Sequence, residues 1–501
     1  MNNSSETSLK ELMHDRGICI VIPTYNNVGT IDAVVGRAQQ YCNDVIVVND
    51  GSTDGTAEKL RQMNGIVLID YNENRGKGNA LKRAFKKALK SGFSYAVTMD
   101  ADGQHYASDI CKFVRANMDY PGSLIVGIRD LRGVVRSKGS SFANKFSNFW
   151  FFIQTGKRLS DTQTGYRLYP LKKLYWLSLL TPRYEAELEL LVFASWHGIK
   201  LHTIPVNVYY PPIEERVSHF RPVADFARIS VLNTVLCVLA VIYGLPCRLF
   251  RILANAVRTT YSLLFFVVFS LFIISPAVWI YLHVGKVTDK KRMNLHKLIY
   301  HIARFVTIHH GIPGTRFTYS GTENVDFGKP SVVICNHQSH LDLICKLTLT
   351  PDLIFLTKDW VWNNPFYGVI IRNADFLPIT NGVDEILPRL RSLRDRGYSI
   401  GVYPEGTRSV DCRIGRFHKG AFYIAERLGM DIQPIVIYGM GKVLPKKGYS
   451  FRKGVLHVEI MPRFKREKLD KIGNALEQAK YFRHYYINEY LKLCNRKEQD
   501  A

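Results

Sequence analysis

Residues 261–283, YSLLFFVVFSLFIISPAVWIYLH, contain no charged side chain. About 20 apolar helical residues cross the hydrocarbon core of a bilayer, so this run is long enough to span one. It is apolar on every side, unlike the one-faced helices of a water-soluble surface. A shorter run, ISVLNTVLCVLAVIYGLP at 229–246, precedes it with Asn233 and Gly244 inside. The connector CRLFRILANAVR carries Arg248, Arg251 and Arg258. Arg216, Arg221 and Arg228 lie before the pair, and Lys286, Lys290, Lys291 and Arg292 after it. Positive side chains favour the cytosolic side of a membrane. With every flank basic, the sequence predicts a membrane-embedded or re-entrant helical hairpin over 229–285, both neighbouring domains facing the cytosol. A two-pass hairpin is the alternative. Pro276 predicts a kink.

The flanking segments have another pattern. From Ile18 to about Val208, the apolar runs ICIVIP, DVIVVND, GIVLID and YAVTMD alternate with helix-like stretches such as TIDAVVGRAQQYC and GNALKRAFKKALKSG. From about Thr318 to Phe464 the alternation resumes. SVVICN, DLIFLT, DFLPIT, YSIGVYP, IQPIVIYG and VLHVEIM read as strands, DEILPRLRSLRDRG and KGAFYIAERLG as helices. Apolar strands bracketed by amphipathic helices predict α/β domains with mostly parallel, doubly wound sheets. The expected organisation is a polar N-terminal segment (1–17), an α/β domain (18–228), the hairpin (229–285), a second α/β domain (286–464) and a charged helical cap (465–501). No internal repeat relates the halves.

The chain's 501 residues exceed what one core organises. A hydrophobic fraction of 47% argues against a polytopic membrane protein. Nine scattered cysteines without a CxxC pair predict buried, reduced thiols. The start, MNNSSETSLKELMHDRG, lacks a secretory apolar core, which keeps the first domain cytosolic. A net charge of +24 calls for an anionic partner: phosphorylated small molecules, an anionic membrane surface or nucleic acid. The densest basic run, KRAFKKALK at 82–90, reads as one cationic helix face, and no nucleic-acid module accompanies it, so no nucleic-acid partner is expected.

The stretch VTMDADGQH puts Asp100 and Asp102 at the end of an apolar strand. Alternate strand residues share a face. Two carboxylates there can hold a divalent cation against a diphosphate, although an isolated DxD is usually a pair of solvated loop aspartates. Here VIPTYNN (21–27) and VVNDGSTDGT (47–56) end the first two strands at the sheet edge where doubly wound folds bind ligands. Asp50 can accept from a base N–H, and Tyr25 can stack on that base. NRGKGNAL (74–81) adds a glycine turn with Arg75 and Lys77.

Through these ordered motifs, residues 18 to about 230 resemble family 2 glycosyltransferases of the GT-A fold, in particular polyprenyl-phosphate sugar transferases. The resemblance implies an inverting transfer from a nucleotide sugar with Mg or Mn as cofactor. It implies nucleotide contacts at Pro23, Tyr25, Val48 and Asp50, with Asn27 standing where the family often has glutamate. Asp100, Ala101, Asp102 and Gln104 would form the diphosphate site, the metal resting on Asp100, Asp102 and Gln104. Arg129 in VGIRD, and Arg216, His219 and Arg221 in ERVSHFRP, would meet phosphate. DTQTGYRLY matches an acceptor-side loop through Asp161 and Arg167, and RYEAELELL supplies Glu187 as an acid/base or positioning carboxylate. A lipid phosphate acceptor needs no general base and a hydroxyl acceptor does; the sequence leaves both open.

In NHQSHLD (336–342), four residues separate His337 from Asp342. On a regular helix that spacing splays the pair. A strand-to-helix turn can instead fold Asp342 onto the imidazole, leaving its other nitrogen to take a proton from a hydroxyl. Alone, the pair reads better as a satisfied core histidine, and His340 has no ligand cluster to make it a metal site. YPEGTRS (403–409) changes that: Gly406 permits a tight turn and Arg408 presents a planar cation. The two motifs, with GTENV before them and RFHKGAF and IQPIVIYG after, resemble glycerolipid acyltransferases of the lysophosphatidic-acid type over about Thr318–Phe464. The resemblance implies His337 as base, Asp342 as its partner, acceptor binding by Glu405, Gly406, Thr407 and Arg408, and no cofactor. Asn381 stands where the family has an arginine; Arg372 or Lys419 would compensate, or the acceptor lacks that phosphate.

The combined reading is a bifunctional enzyme of the inner (cytoplasmic) membrane. It would use a nucleotide sugar, an acyl-CoA or acyl-carrier-protein thioester and a lipid acceptor, and tethering would raise the effective concentration of shared intermediates. The alternative is a lipid acyltransferase whose glycosyltransferase-like domain serves for docking.

Overall fold

The computed structural model describes residues 3–129, 138–175, 180–209, 222–286, 288–324, 326–363, 368–379 and 382–499. The chain forms two compact units, one reaching Arg251 and the other comprising Ile252–Cys494.

The first unit is built on seven strands: β1 (Ile18–Thr24), β2 (Val45–Asp50), β3 (Ile66–Tyr71), β4 (Tyr95–Thr98), β5 (Leu124–Arg129), β6 (Arg167–Pro170) and β7 (Leu201–Val206). Their order is β3-β2-β1-β4-β6-β5-β7. All pairs are parallel except those of β6, which runs antiparallel to β4 and β5. Strand β1 is buried at every position, which suits a Val/Ile-rich strand covered by helices on both faces. The helix Lys77–Lys90 lays Ala80, Leu81, Ala84, Phe85 and Ala88 on the sheet and turns Lys82, Arg83, Lys86 and Lys87 to solvent. Burying its Leu and Phe contributes about 1.5–3 kcal/mol each.

The second unit also holds seven strands: β8 (Thr315–Ser320), β9 (Ser331–Cys335), β10 (Leu353–Thr357), β11 (Leu377–Pro378), β12 (Ser399–Val402), β13 (Asp431–Tyr438) and β14 (Gly454–Ile460). Their order is β11-β10-β12-β9-β13-β14-β8, with only β13 and β14 antiparallel. The expected pair of α/β domains is thus the observed architecture.

Two elements differ from expectation. The residues read as a hairpin form one continuous helix, Ala227–His283, long and apolar enough to cross a membrane, with 6% of its most apolar window buried. CRLFRILANAVR contains no glycine and propagates the helix instead of turning. The prolines do not break it either. Proline lacks an N–H and its ring presses on the carbonyl four residues back. Pro246 and Pro276 each follow a wider π-helical segment, Ala240–Gly244 and Phe269–Ile274, which makes room for the ring. The chain folds back one element later: the helix Asp289–Arg304 begins at Thr288, whose hydroxyl accepts from Lys291 N, and Phe305 stacks on Phe269 at 5.7 Å. The second difference is the C-terminal tail. The helix Ala475–Gln499 is more than a charged cap, because Phe482, Tyr486 and Leu493 enter the core of the second unit. Tyr486 donates to Ile334 O at 2.7 Å and accepts from Ile435 N at 3.1 Å, fastening the tail to β9 and β13.

Candidate active sites

In the first unit, the loops after β1, β2 and β4 converge at one end of the sheet. Pro23 and Val48 are register partners on adjacent strands. Tyr25 is half-buried. The Asn27 side chain turns back on its own loop, donating to Thr24 Oγ1 and Tyr25 O. Asp50, 3% exposed, accepts from Arg75 N at 2.9 Å and Gly76 N at 2.7 Å. Both carboxylate oxygens therefore hold the turn that starts the Lys77–Lys90 helix. Gly76, at φ +94, and this carboxylate fix where Lys77 begins.

Lys77 is the centre of the pocket. Its Nζ lies 2.7 Å from Asp100 Oδ1 and 3.1 Å from Glu187 Oε1. Burial alone would lower its pKa, but the two carboxylates raise it well above the usual lysine range, so the ammonium persists. Burial by itself would raise Asp100; Lys77 overrides this and brings the carboxyl down to about 2. Asp102 is the opposite case. Its Oδ1 accepts Gln104 N at 3.0 Å, and burial, then the charge of Asp100, push its pKa up. His105 accepts Asp100 N through Nδ1 at 3.1 Å and stacks on Tyr166. Ala101 is buried, its carbonyl accepting from Thr30 Oγ1.

These carboxylates bear on the expected metal. Among the described residues no cluster of three His, Cys, Asp or Glu forms a cage. Asp100 Oδ1 already has a cation in Lys77. Asp102 carries the uncompensated charge, and with the Gln104 side chain beside it the donor set fits a hard divalent cation that keeps water and diphosphate oxygens as its other ligands.

Two arginines change place in the account. Arg129 forms a bidentate pair with Asp161, Nε to Oδ2 at 2.6 Å and Nη2 to Oδ1 at 2.9 Å, so the expected phosphate and acceptor residues bind each other. Arg167 is a correction: expected at the acceptor, it is 0% exposed and donates to Glu187 O at 2.6 Å and Thr162 O at 2.8 Å. It positions the Glu187 backbone and cannot reach a ligand. Arg216, His219 and Arg221 lie outside the described residues. The sequence reading noted Lys77 as a loop cation but did not place it in the site; its flanking glycines were the only signal.

In the second unit, the turn between β9 and the helix Leu341–Leu347 brings Asp342 onto the imidazole. Asp342 Oδ2 receives His337 Nδ1 at 2.7 Å, Gln338 N at 2.6 Å and Ser339 N at 2.9 Å, at 0% exposure. The His337 side chain is 21% exposed. With Nδ1 committed to Asp342, Nε2 is the nitrogen left for a substrate proton. The second motif is tied to the first: Glu405 Oε1 accepts His337 N at 2.8 Å, its Oε2 accepts Gly415 N at 2.9 Å, and Ser409 N donates to His337 O at 2.7 Å. Burial pushes Glu405 up to about 7, against the pull of those two N–H donors. Gly406 takes φ +64 in the turn, and Lys446 Nζ reaches Thr407 Oγ1 at 3.3 Å and Arg408 O at 2.5 Å. Burial, then the charge of Arg408, lowers the His340 pKa. Arg372 donates to Trp362 O; Asn381 lies outside the described residues.

Residues 19–170 match the glycosyl transferase family 2 model and residues 316–438 the acyltransferase model. Over 221 residues the chain is 30% identical to UDP-N-acetylglucosamine–dolichyl-phosphate N-acetylglucosaminyltransferase of Methanococcus voltae, a match covering 40% of this chain and 88% of that protein. The chain belongs to glycosyl transferase family 2. Behind this family 2 domain, 162 residues are 32% identical to the chloroplastic 1-acyl-sn-glycerol-3-phosphate acyltransferase of Arabidopsis thaliana. That match covers 31% of this chain and 45% of the relative, so the chain spans less than half of that relative's length. The solved 1-acyl-sn-glycerophosphate acyltransferase of Thermotoga maritima is 22% identical, with a TM-score of 0.42, over 48% of this chain and 97% of that one. One polypeptide thus joins a family 2 glycosyltransferase domain to an acyltransferase domain.

Proposed function

We propose that the chain is a membrane-associated enzyme with two activities. The family 2 domain transfers a sugar, with inversion, from a nucleotide sugar to a lipid-like acceptor. The acyltransferase domain moves an acyl group from a CoA or carrier-protein thioester to a hydroxyl of a lipid or glycolipid. The observation that carries the reading is that each domain retains its own reactive set: Lys77, Asp100, Asp102 and Glu187 in one, His337, Asp342, Glu405 and Arg408 in the other.

In the first site the acceptor oxygen attacks the anomeric carbon as its bond to the diphosphate breaks. A divalent cation, when bound, neutralises the leaving diphosphate; Asp102 and Gln104 would hold it. Glu187 is taken up by the Lys77 ammonium. That favours an acceptor already anionic, a lipid phosphate, which is also what the name of the Methanococcus relative specifies for that enzyme. In the second site His337 Nε2 takes the acceptor's hydroxyl proton while the oxygen attacks the thioester carbonyl. The C–O bond forms, the C–S bond breaks, and the imidazolium returns its proton to the leaving thiolate. Asp342 holds the ring and stabilises the imidazolium, and Arg408 binds an anionic group of the acceptor. The long helix supports attachment at a membrane.

Mass spectrometry of membrane lipids tests this in cells expressing the wild type, Asp102→Asn or His337→Ala. Asp102→Asn should lack the sugar-bearing species and His337→Ala the acyl-bearing species that the wild type adds, and both should lack any species carrying both increments. Identical lipid profiles in all three strains would refute the proposal.

A further inference from the structure

We infer that Lys346 is a positioning residue for acyl transfer: its ammonium, on the far side of the Tyr403 ring, holds that ring against the His337 imidazole and keeps the imidazole in its proton-accepting form. The inference rests on the reading of His337 as the base.

Lys346 lies on the helix Leu341–Leu347, one turn after Asp342, and is 0% exposed. Its Nζ has no hydrogen-bond partner. It sits 3.4 Å from the centroid of the Tyr403 ring and 4.8 Å from that of Phe355. The Tyr403 ring lies 4.0 Å from the His337 ring with 21° between the planes. An ammonium and an imidazole at those distances cannot share one face of the phenol without overlapping, so they occupy opposite faces.

Such a cation is costly to bury and normally finds a carboxylate. Asp342 is four residues away, within reach along a helix. Yet its Oδ2 serves His337, Gln338 and Ser339, and its Oδ1 is buried without a partner. The groups facing the ammonium are Asp342 on its own helix, Cys335 on β9, Phe355 on β10 and Tyr403 after β12. Burial pushes the Lys346 pKa down to about 8, while Cys335 and Asp342 pull the other way. Near neutral pH it is therefore still largely a cation, held by ring faces and by the charge of Asp342 without a hydrogen bond. A residue kept against its own solvation is best explained by what it does to its neighbour. A positive charge behind the platform opposes a second positive charge on the imidazole, and neutral imidazole is the form that accepts a proton.

The full-length protein provides a readout independent of turnover. Diethylpyrocarbonate modifies neutral imidazole, and peptide mass spectrometry reports modification of His337 as a function of pH. In Lys346→Met the half-point should move to higher pH, lowering the modification rate several-fold near pH 6. Lys346→Arg, which keeps the charge, should stay near wild type. The acid limb of acyl transfer should move the same way in Lys346→Met, with kcat falling about tenfold near pH 6.5 and KM for the thioester little changed. Because the substitution removes a buried charge, Tm at pH 7 should hold or rise, whereas a mere structural prop would lower it. An unmoved half-point in folded Lys346→Met, or a lower Tm with equal losses at every pH, overturns the inference. A shifted half-point in a protein whose wild type transfers no acyl group would leave the Lys346–Tyr403–His337 contact standing and remove the reading of His337 as base, and with it the role of Lys346 in acyl transfer.

Discussion

Lys77 and Asp342 each hold several groups at once, and their substitution should reveal that. Lys77→Met leaves Asp100 and Glu187 facing each other without the cation between them. The expected loss is about 3–5 kcal/mol from the first domain, with glycosyl transfer abolished, as thermal unfolding and a sugar-transfer assay would show. The pH dependence has a definite sign. Asp100 falls from 3.8 to about 2 on folding, so its stabilisation is complete above about pH 4 and disappears as pH drops toward 2. Acid unfolding of the wild type should show that component, and Asp100→Asn should lack it. At the second site, Asp342→Asn places an amide donor against the donors that Oδ2 now accepts. About 1–3 kcal/mol of stability should be lost, and acyl transfer should fall about 10²–10⁴-fold, with sugar transfer unchanged in the same preparation. The roles of Asp342 and Lys77 were unequally legible. The HxxxxD spacing pointed to the imidazole–carboxylate contact, because a short turn spans it. Nothing in the spacing of Lys77, Asp100 and Glu187 pointed to their contact, since two helix starts and one loop from distant parts of the chain make it. Arg167 was misread for the same reason: a motif arginine looks like a ligand residue until its burial is known.

Among the elements, β1 to β4 and β9 to β14 were visible as apolar runs. Strand β6 was not. It has four residues, runs antiparallel, and opens with a buried arginine. Strand β8 was hidden by its own composition, TRFTYS, whose positions are mostly half-buried. The turn before β6 nevertheless shapes the first site. A Cβ on Gly165 would lie 2.6 Å from Asp100 Oδ2 and 2.9 Å from Lys77 Nζ. Gly165→Ala should therefore disrupt the ion pair and reduce sugar transfer at least tenfold without affecting acyl transfer, measured with both donors on one protein sample. The tail helix offers a separate check. Tyr486→Ala removes a large core side chain and two hydrogen bonds, and should cost the second domain about 3–5 kcal/mol in a denaturant titration. The helix Ala227–His283 shows why the expected hairpin failed: prolines and arginines alone do not make a turn when the intervening residues are good helix formers.

At the scale of the molecule, the central claim is that two independent transfer reactions reside on one membrane-attached chain. The most direct test reconstitutes purified full-length protein in lipid vesicles with a labelled nucleotide sugar, a labelled acyl thioester and extracted membrane lipids as acceptors. Wild type should incorporate both labels; His337→Ala should lose only the acyl label, and Lys77→Met only the sugar label. Retention of acyl incorporation by His337→Ala, or of sugar incorporation by folded Lys77→Met, would contradict the account.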